Sequence, residues 1–143
     1  MRSARPSERG ITLVTVAILV AALAGIGWIV SYGPAYWDNV EVKRVLREAA
    51  NMCYQADDER VRGFVFRELH RMFDTGERDE SGYPTMSIDV QQDDLRIERT
   101  EVPKKWVNIW LTYSRVVKLP LINQERMVTF VVHADQDLTP VKW

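Results

Sequence analysis

Residues 11–32 read ITLVTVAILVAALAGIGWIVSY, and no side chain in this run is charged at neutral pH. As a helix rising about 1.5 Å per residue it would be roughly 33 Å long, enough to cross a hydrocarbon layer of about 30 Å. The ten residues before it carry Arg2, Arg5 and Arg9 against Glu8. Beyond Tyr32 the chain turns polar, mixed in charge and periodic, as a folded domain does. The expected organisation is therefore a cytoplasmic basic tail or leader at 1–10, a transmembrane helix at 11–32 and an outer α+β domain at 33–143.

The outer part is long enough for its own core. Of 19 Lys+Arg and 20 Asp+Glu, it holds 16 and 19, a net charge of −3 with the signs interspersed. No basic footprint points to nucleic acid. The lone cysteine, Cys53, has no partner for an internal disulfide, so it is expected to be buried in a helix face.

The arginine-rich tail keeps the amino terminus in the cytoplasm by the positive-inside rule, although Lys43, Arg44 and Arg47 beyond the span reduce the asymmetry. Trp28, Tyr32, Tyr36 and Trp37 gather at the outer end of the span, where amphipathic rings favour the headgroup level. Ala17, Ala21 and Gly25 recur every four residues, a small-residue stripe that lets membrane helices pack closely. Three fates are open to this segment. It is a retained anchor; or a cleaved secretory signal, with Ala22-Leu23-Ala24 before Gly25 as a small-x-small site; or a specialised leader.

The leader reading starts from Arg9-Gly10-Ile11-Thr12-Leu13-Val14-Thr15, which resembles the type III leader of type IV pilins and pseudopilins. That resemblance implies cleavage after Gly10 and N-methylation of Ile11. The chain departs from the family at the fifth position after the glycine, with Thr15 where most members have Glu. In the family that glutamate pairs with a neighbouring subunit's terminus inside the bilayer.

Gly33 and Pro34 break the helix signal outside the span, where a kink is one option. Asp38 and Glu41 form an Asp variant of the capping box, starting a helix over about 38–55. Its apolar stripe is Val42, Val45, Leu46, Ala49 and Cys53. A second helix over about 58–74 opens with Asp57, Asp58 and Glu59 at its positive end, buries Val61, Phe64, Val65, Leu69, Met72 and Phe73, and stops at Gly76. Residues 77–84, ERDESGYP, read as a charged loop.

After Pro84 the period becomes two, giving strands over about 86–90, 94–101, 105–119 and 125–135. The last two make a long antiparallel hairpin about the turn PLINQ at 120–124. Val107, Ile109, Leu111 and Tyr113 share one face with Val128, Phe130, Val132 and Ala134, expected against the helices. The other face is partly apolar through Trp106, Trp110, Val116, Met127 and Val131. Either the chain's own ends, Trp143 among them, cover it, or it is a partner face, with Trp106, Trp110 and Val116 as its candidates. The first is favoured.

The order of elements, with the run LRIERTEV at 95–102 and WVNIWLTYSRVVKLPLINQERMVTFVVH at 106–133, also resembles a family of uncharacterised bacterial single-pass inner-membrane proteins. Members share a basic, glycine-ended start, one span and a terminal strand pair around a Leu-Pro-Leu-like turn. The resemblance implies an envelope location and no particular activity.

No catalytic residue, metal ligand set or cofactor motif is proposed. His70 and His133 lie far apart in sequence, and no Gly-rich phosphate loop, Gly-x-Ser-x-Gly or Cys-x-x-Cys is present. Asp57/Asp58 and Asp93/Asp94 suit caps and turns, and residues 74–82 lack calcium-loop spacing. The expected role is a non-enzymatic, pilin- or pseudopilin-like assembly or structural component on the periplasmic side of the inner membrane. The alternative is an accessory subunit or peptide- or lipid-binding module using the hairpin's second face. Expected partners are membrane lipid, other membrane, pilus or secretion proteins, and a second copy of the chain, with no nucleic acid.

Overall fold

Among the described residues, 8–120 and 122–140, the computed structural model holds two α-helices followed by antiparallel strands. The order is α1 (Glu8–Met52), α2 (Asp58–Phe73), β1 (Asp74–Arg78), β2 (Pro84–Met86), β3 (Ile88–Asp89), a 3-10 turn (Gln92–Asp94), β4 (Leu95–Thr100), β5 (Trp106–Leu119) and β6 (Gln124–Asp137). The fold is α+β, as the change of period from 3.6 to 2 predicts.

Helix α1 is one rod of 45 residues, roughly 68 Å long at the usual rise. Its first half is apolar on all sides, and Leu13, Ile18, Leu23 and Ile29 are each more than half exposed. A helix greasy all round, with its most apolar stretch left exposed, is suited to lipid. It is long and apolar enough to span a membrane once, which is consistent with single-pass anchoring. Its second half is the opposite. Val42, Val45, Leu46 and Ala49 are buried to 1% exposure or less, and Cys53 just past the helix end to 4%.

The expected break at Gly33-Pro34 does not occur: Pro34 lies inside α1. Proline forfeits one backbone hydrogen bond, but an open helix end at a lipid boundary would forfeit several. Ala35, next in line, is buried, so packing also holds that turn in register. The Asp38/Glu41 capping box is overturned for the same reason, since an uninterrupted helix has no end there to cap. Asp38 instead pairs with Arg115 of β5, and Glu41 with Arg44 at 2.8 Å. The separate helix expected from 38 is thus the upper half of α1, ending at Met52 rather than 55.

Helix α2 starts as read, with the Asp57 side chain accepting from the Arg60 N–H at 2.9 Å. Its buried face is Val61, Val65, Leu69 and Phe73, while Phe64 and Met72 are half-buried at its flanks. Gly76 is not its stop. The helix ends at Phe73, Asp74 is extended, and Gly76 lies inside β1 with φ +76°. The segment 77–84, read as loop, supplies the end of β1 and the start of β2. These pair as a hairpin whose turn is held by the Asp79 carboxylate accepting from Ser81 and Tyr83 N–H at 2.9 and 2.8 Å. Nor do 86–90 form one strand. Chain direction changes at Ser87, whose N–H donates to the Phe73 carbonyl, and β2 and β3 join different sheets.

The main sheet is centred on β5. Strand β6 pairs along its whole length on one side, from Trp106↔Asp137 to Leu119↔Gln124. Strands β4 and β3 share the other side in succession. One face lies on α1 and α2, and the core is Val107, Ile109, Leu111, Tyr113, Phe130 and Val132 against the two helices.

Candidate functional site

Tyr36, Tyr32 and Trp28 stand one turn apart on α1, and helical spacing of four stacks them along one side. Trp28 to Tyr32 is 5.5 Å and Trp28 to Tyr36 is 6.5 Å between ring centroids. Tyr36 then meets Phe130 of β6 edge-on at 5.7 Å, Phe130 stacks on Tyr113 at 5.3 Å, and Tyr113 reaches Phe73 of α2 at 6.3 Å. A continuous line of rings thus runs from the apolar half of α1 into the centre of the core. The Tyr113 hydroxyl donates to Asn39 Oδ1 at 3.1 Å, and burial pushes its pKa up to about 12. Trp37, the fourth of the sequence-predicted belt, is off this line and 71% exposed.

Ala17, Ala21 and Gly25 are exposed, and a Cβ added at Gly25 would meet nothing within 4 Å. Among the described residues, none buries that stripe. Gly10 and Ile11 fall in the first turn of α1.

The outer face of the sheet is organised by register. Arg96, Trp110 and His133 lie in one cross-strand row. The Arg96 guanidinium sits over the Trp110 ring at 4.5 Å, and the His133 ring stacks on it at 4.9 Å. His133 Nε2 is 3.0 Å from Asn108 Oδ1, which belongs to the next row. Trp110 is therefore sandwiched by its own neighbours and half-buried. Trp106 is also half-buried and shares a cleft of about 290 Å³ with Leu138, Pro140 and Arg99. Trp143, named as a possible cover, lies outside the described residues. Farther along, none of the described residues covers the face: Val116 and its partner Met127 are 44% and 66% exposed, and Val131 is 69% exposed. The face expected to act as a unit is thus divided, with the tryptophans shielded and Val116 open.

Several other polar side chains hold the fold together. Arg99 donates to Asp58 Oδ1 at 2.7 Å and to the Cys53 and Ala56 carbonyls at 3.0 and 2.9 Å, closing the α1–α2 corner. Arg62 of α2 donates to the Gln92 and Leu95 carbonyls at 2.7 and 2.9 Å. The Cys53 thiol donates to the Ala49 carbonyl at 3.4 Å, and burial pushes its pKa up, countered in part by Arg99. Among the described residues no group of three or more His, Cys, Asp or Glu side chains is placed to hold a metal ion.

Two parts of this arrangement escaped the sequence reading. In the Arg96–Trp110–His133 row, the Trp110–His133 pair follows from the hairpin register, which the turn at 120–124 nearly specifies, while Arg96 joins through the separate β4–β5 register. The Tyr36–Phe130 contact has no local signal, because it depends on how the sheet lies across α1. No protein-family model, curated protein or solved structure matches the chain.

Proposed function

We propose that this is a non-enzymatic, membrane-anchored component of the bacterial envelope that acts through lateral protein contacts, as a pilin- or pseudopilin-like subunit does. Its basic end lies in the cytoplasm, α1 crosses the inner membrane, and the α+β head stands on the periplasmic side. The observation that supports this best is that anchor and core are one helix. The exposed half of α1 passes without a break in the helix into Val42, Val45, Leu46 and Ala49 at the centre of the head. A contact made by the span in lipid therefore fixes the position of the head, which suits an assembling subunit better than a tethered enzyme. The open Ala17–Ala21–Gly25 side offers a surface for close helix approach. A peptide-binding module displaying Trp110 is the weaker alternative, since Arg96 and His133 already occupy both faces of that ring.

The test is recovery of the full-length protein from native membranes, with mass spectrometry of its partners and its amino terminus. Pilus, secretion or other envelope-machine subunits in the complex, with a terminus at Ile11, support the pilin-like version. An intact Met1 and no such subunit overturn it. Changing Ala17, Ala21 and Gly25 together to Ile is expected to reduce oligomer size in mild detergent. Unchanged size would show that the stripe packs nothing.

A further inference from the structure

The turn joining β5 to β6 is the part of the head that reaches back down α1. Leu119, Pro120 and Ile122 enclose a crevice of about 250 Å³ with Ala24, Gly27, Trp28 and Ser31. Immediately above it, Arg115, Val117 and Lys118 face Val30 and Pro34 across a second crevice of about 360 Å³. Tyr36 marks the level of Phe130. From there, the helix down to Ala24 and the strand down to the turn cover similar distances, roughly 18 and 20 Å at the standard rises.

The depth of this turn follows from charge. The run between Arg9 and Asp38 is 28 residues without a charged side chain. A hydrocarbon layer of about 30 Å takes about 20 helical residues. Every placement of such a layer between Arg9 and Asp38 contains Ala24 through Trp28. A turn lying against those residues is at lipid depth, whichever way the chain faces.

Its chemistry agrees. Leu119, Pro120, Leu121 and Ile122 are uncharged, and Ile122 is 59% exposed. Pro120 has no N–H to leave unpaired, which matters where water is scarce. The turn is closed by the Leu119↔Gln124 pair, and charge appears one and two residues above it. Lys118 and Glu125 are paired at 3.7 Å, and Arg126 is exposed. Long cationic side chains just above an apolar tip can keep their heads at the lipid–water boundary.

We infer that the β5–β6 turn is a second membrane contact, seated in the lipid leaflet beside α1 so that the head is held to the bilayer at two points. The inference rests on α1 spanning the bilayer but not on its orientation. In the test, an environment-sensitive thiol-reactive dye is placed at Ile122→Cys in the full-length protein, with Cys53 left in place because it is buried. Trp28→Cys serves as the embedded reference and Val102→Cys, exposed in the loop between β4 and β5 at the opposite end of β5 from this turn, as the aqueous one. All are reconstituted in nanodiscs of equal parts phosphatidylcholine and phosphatidylglycerol, with and without nitroxide-labelled lipid. The expected result is blue-shifted emission from position 122 that lipid nitroxides quench, as at 28 and unlike 102. Quenching at 28 with a water-like signal at 122 overturns the second contact and leaves the anchor standing. Blue-shifted but unquenched emission at 122, with 28 quenched, also overturns it, because protein rather than lipid then covers the turn. No quenching at either position overturns the anchor itself, and the second contact with it.

Discussion

Tyr113 is buried between Phe73 and Phe130 with its hydroxyl on Asn39, so it joins the core to the helix that leaves it. Tyr113→Phe keeps the ring and removes the donor to Asn39, which should lower stability by about 1 kcal/mol. Burial holds its phenol at about 12, against about 10 in an unfolded chain. Between those values the unfolded state releases a proton that the folded state keeps. The contribution is therefore complete below pH 10 and is lost as pH rises toward 12. Thermal unfolding of the detergent-solubilised protein should fall across that window, and less steeply in Tyr113→Phe. Identical slopes would mean that this phenol ionises in the folded protein as it does in the unfolded one. Cys53 invites a second measurement. Its thiol is held up by burial, with the Arg99 guanidinium opposing, and the thiolate is the reactive form. Labelling at neutral pH should be slow in the native protein and accelerate as denaturant opens the end of α1. Prompt labelling without denaturant would place the thiol outside the core.

The α1–α2 corner depends on the forked geometry of Arg99, which serves one carboxylate and two carbonyls at once. The carboxylate of Asp58 is half exposed, so the carbonyl bonds matter more than the ion pair. Lysine keeps the charge but offers a single ammonium that cannot reach all three. Arg99→Lys should cost about 2 kcal/mol, close to the loss for Arg99→Met, as denaturant unfolding would read. A lysine variant as stable as the parent would show the charge alone to be sufficient. Elements of this kind differ in how plainly the sequence announces them. Strands β5 and β6 alternate apolar and polar residues on both sides of a turn, so their pairing and buried face could be read directly. Helix α2 announced itself by its Asp57 cap and its stripe. The β1–β2 hairpin could not, because it is held by backbone pairing and Asp79 with exposed side chains. The continuity of α1 was hidden by Gly33-Pro34, a local helix breaker overruled by packing at Ala35. The ring line from Trp28 was half visible. Spacing gives Trp28–Tyr32–Tyr36, but only the tertiary fold adds Phe130.

Over the whole molecule, one helix runs from an exposed apolar half into a packed half, and the change falls within about a turn of Pro34. Below it, side chains such as Leu23 and Ile29 are more than half exposed, while above it Val42 and Leu46 are fully buried. Anchor and head are therefore separable only at that boundary. A chain beginning at Gly33 keeps Ala35, Val42, Val45, Leu46, Ala49 and Ala50, so it should fold and unfold cooperatively by circular dichroism. A chain beginning at Cys53 loses all six. Burial of Val42, Val45 and Leu46 alone contributes roughly 5–9 kcal/mol, comparable with the whole stability of a domain this size, about 5–15 kcal/mol. The shorter chain should show no cooperative transition, although every strand and α2 remain. If it folds, α1 is only a stalk for an independent head, and a contact made by the span has no rigid path to the sheet. If only the longer chain folds, the anchor and the head's innermost layer are one element, and the proposed assembly role keeps its physical basis.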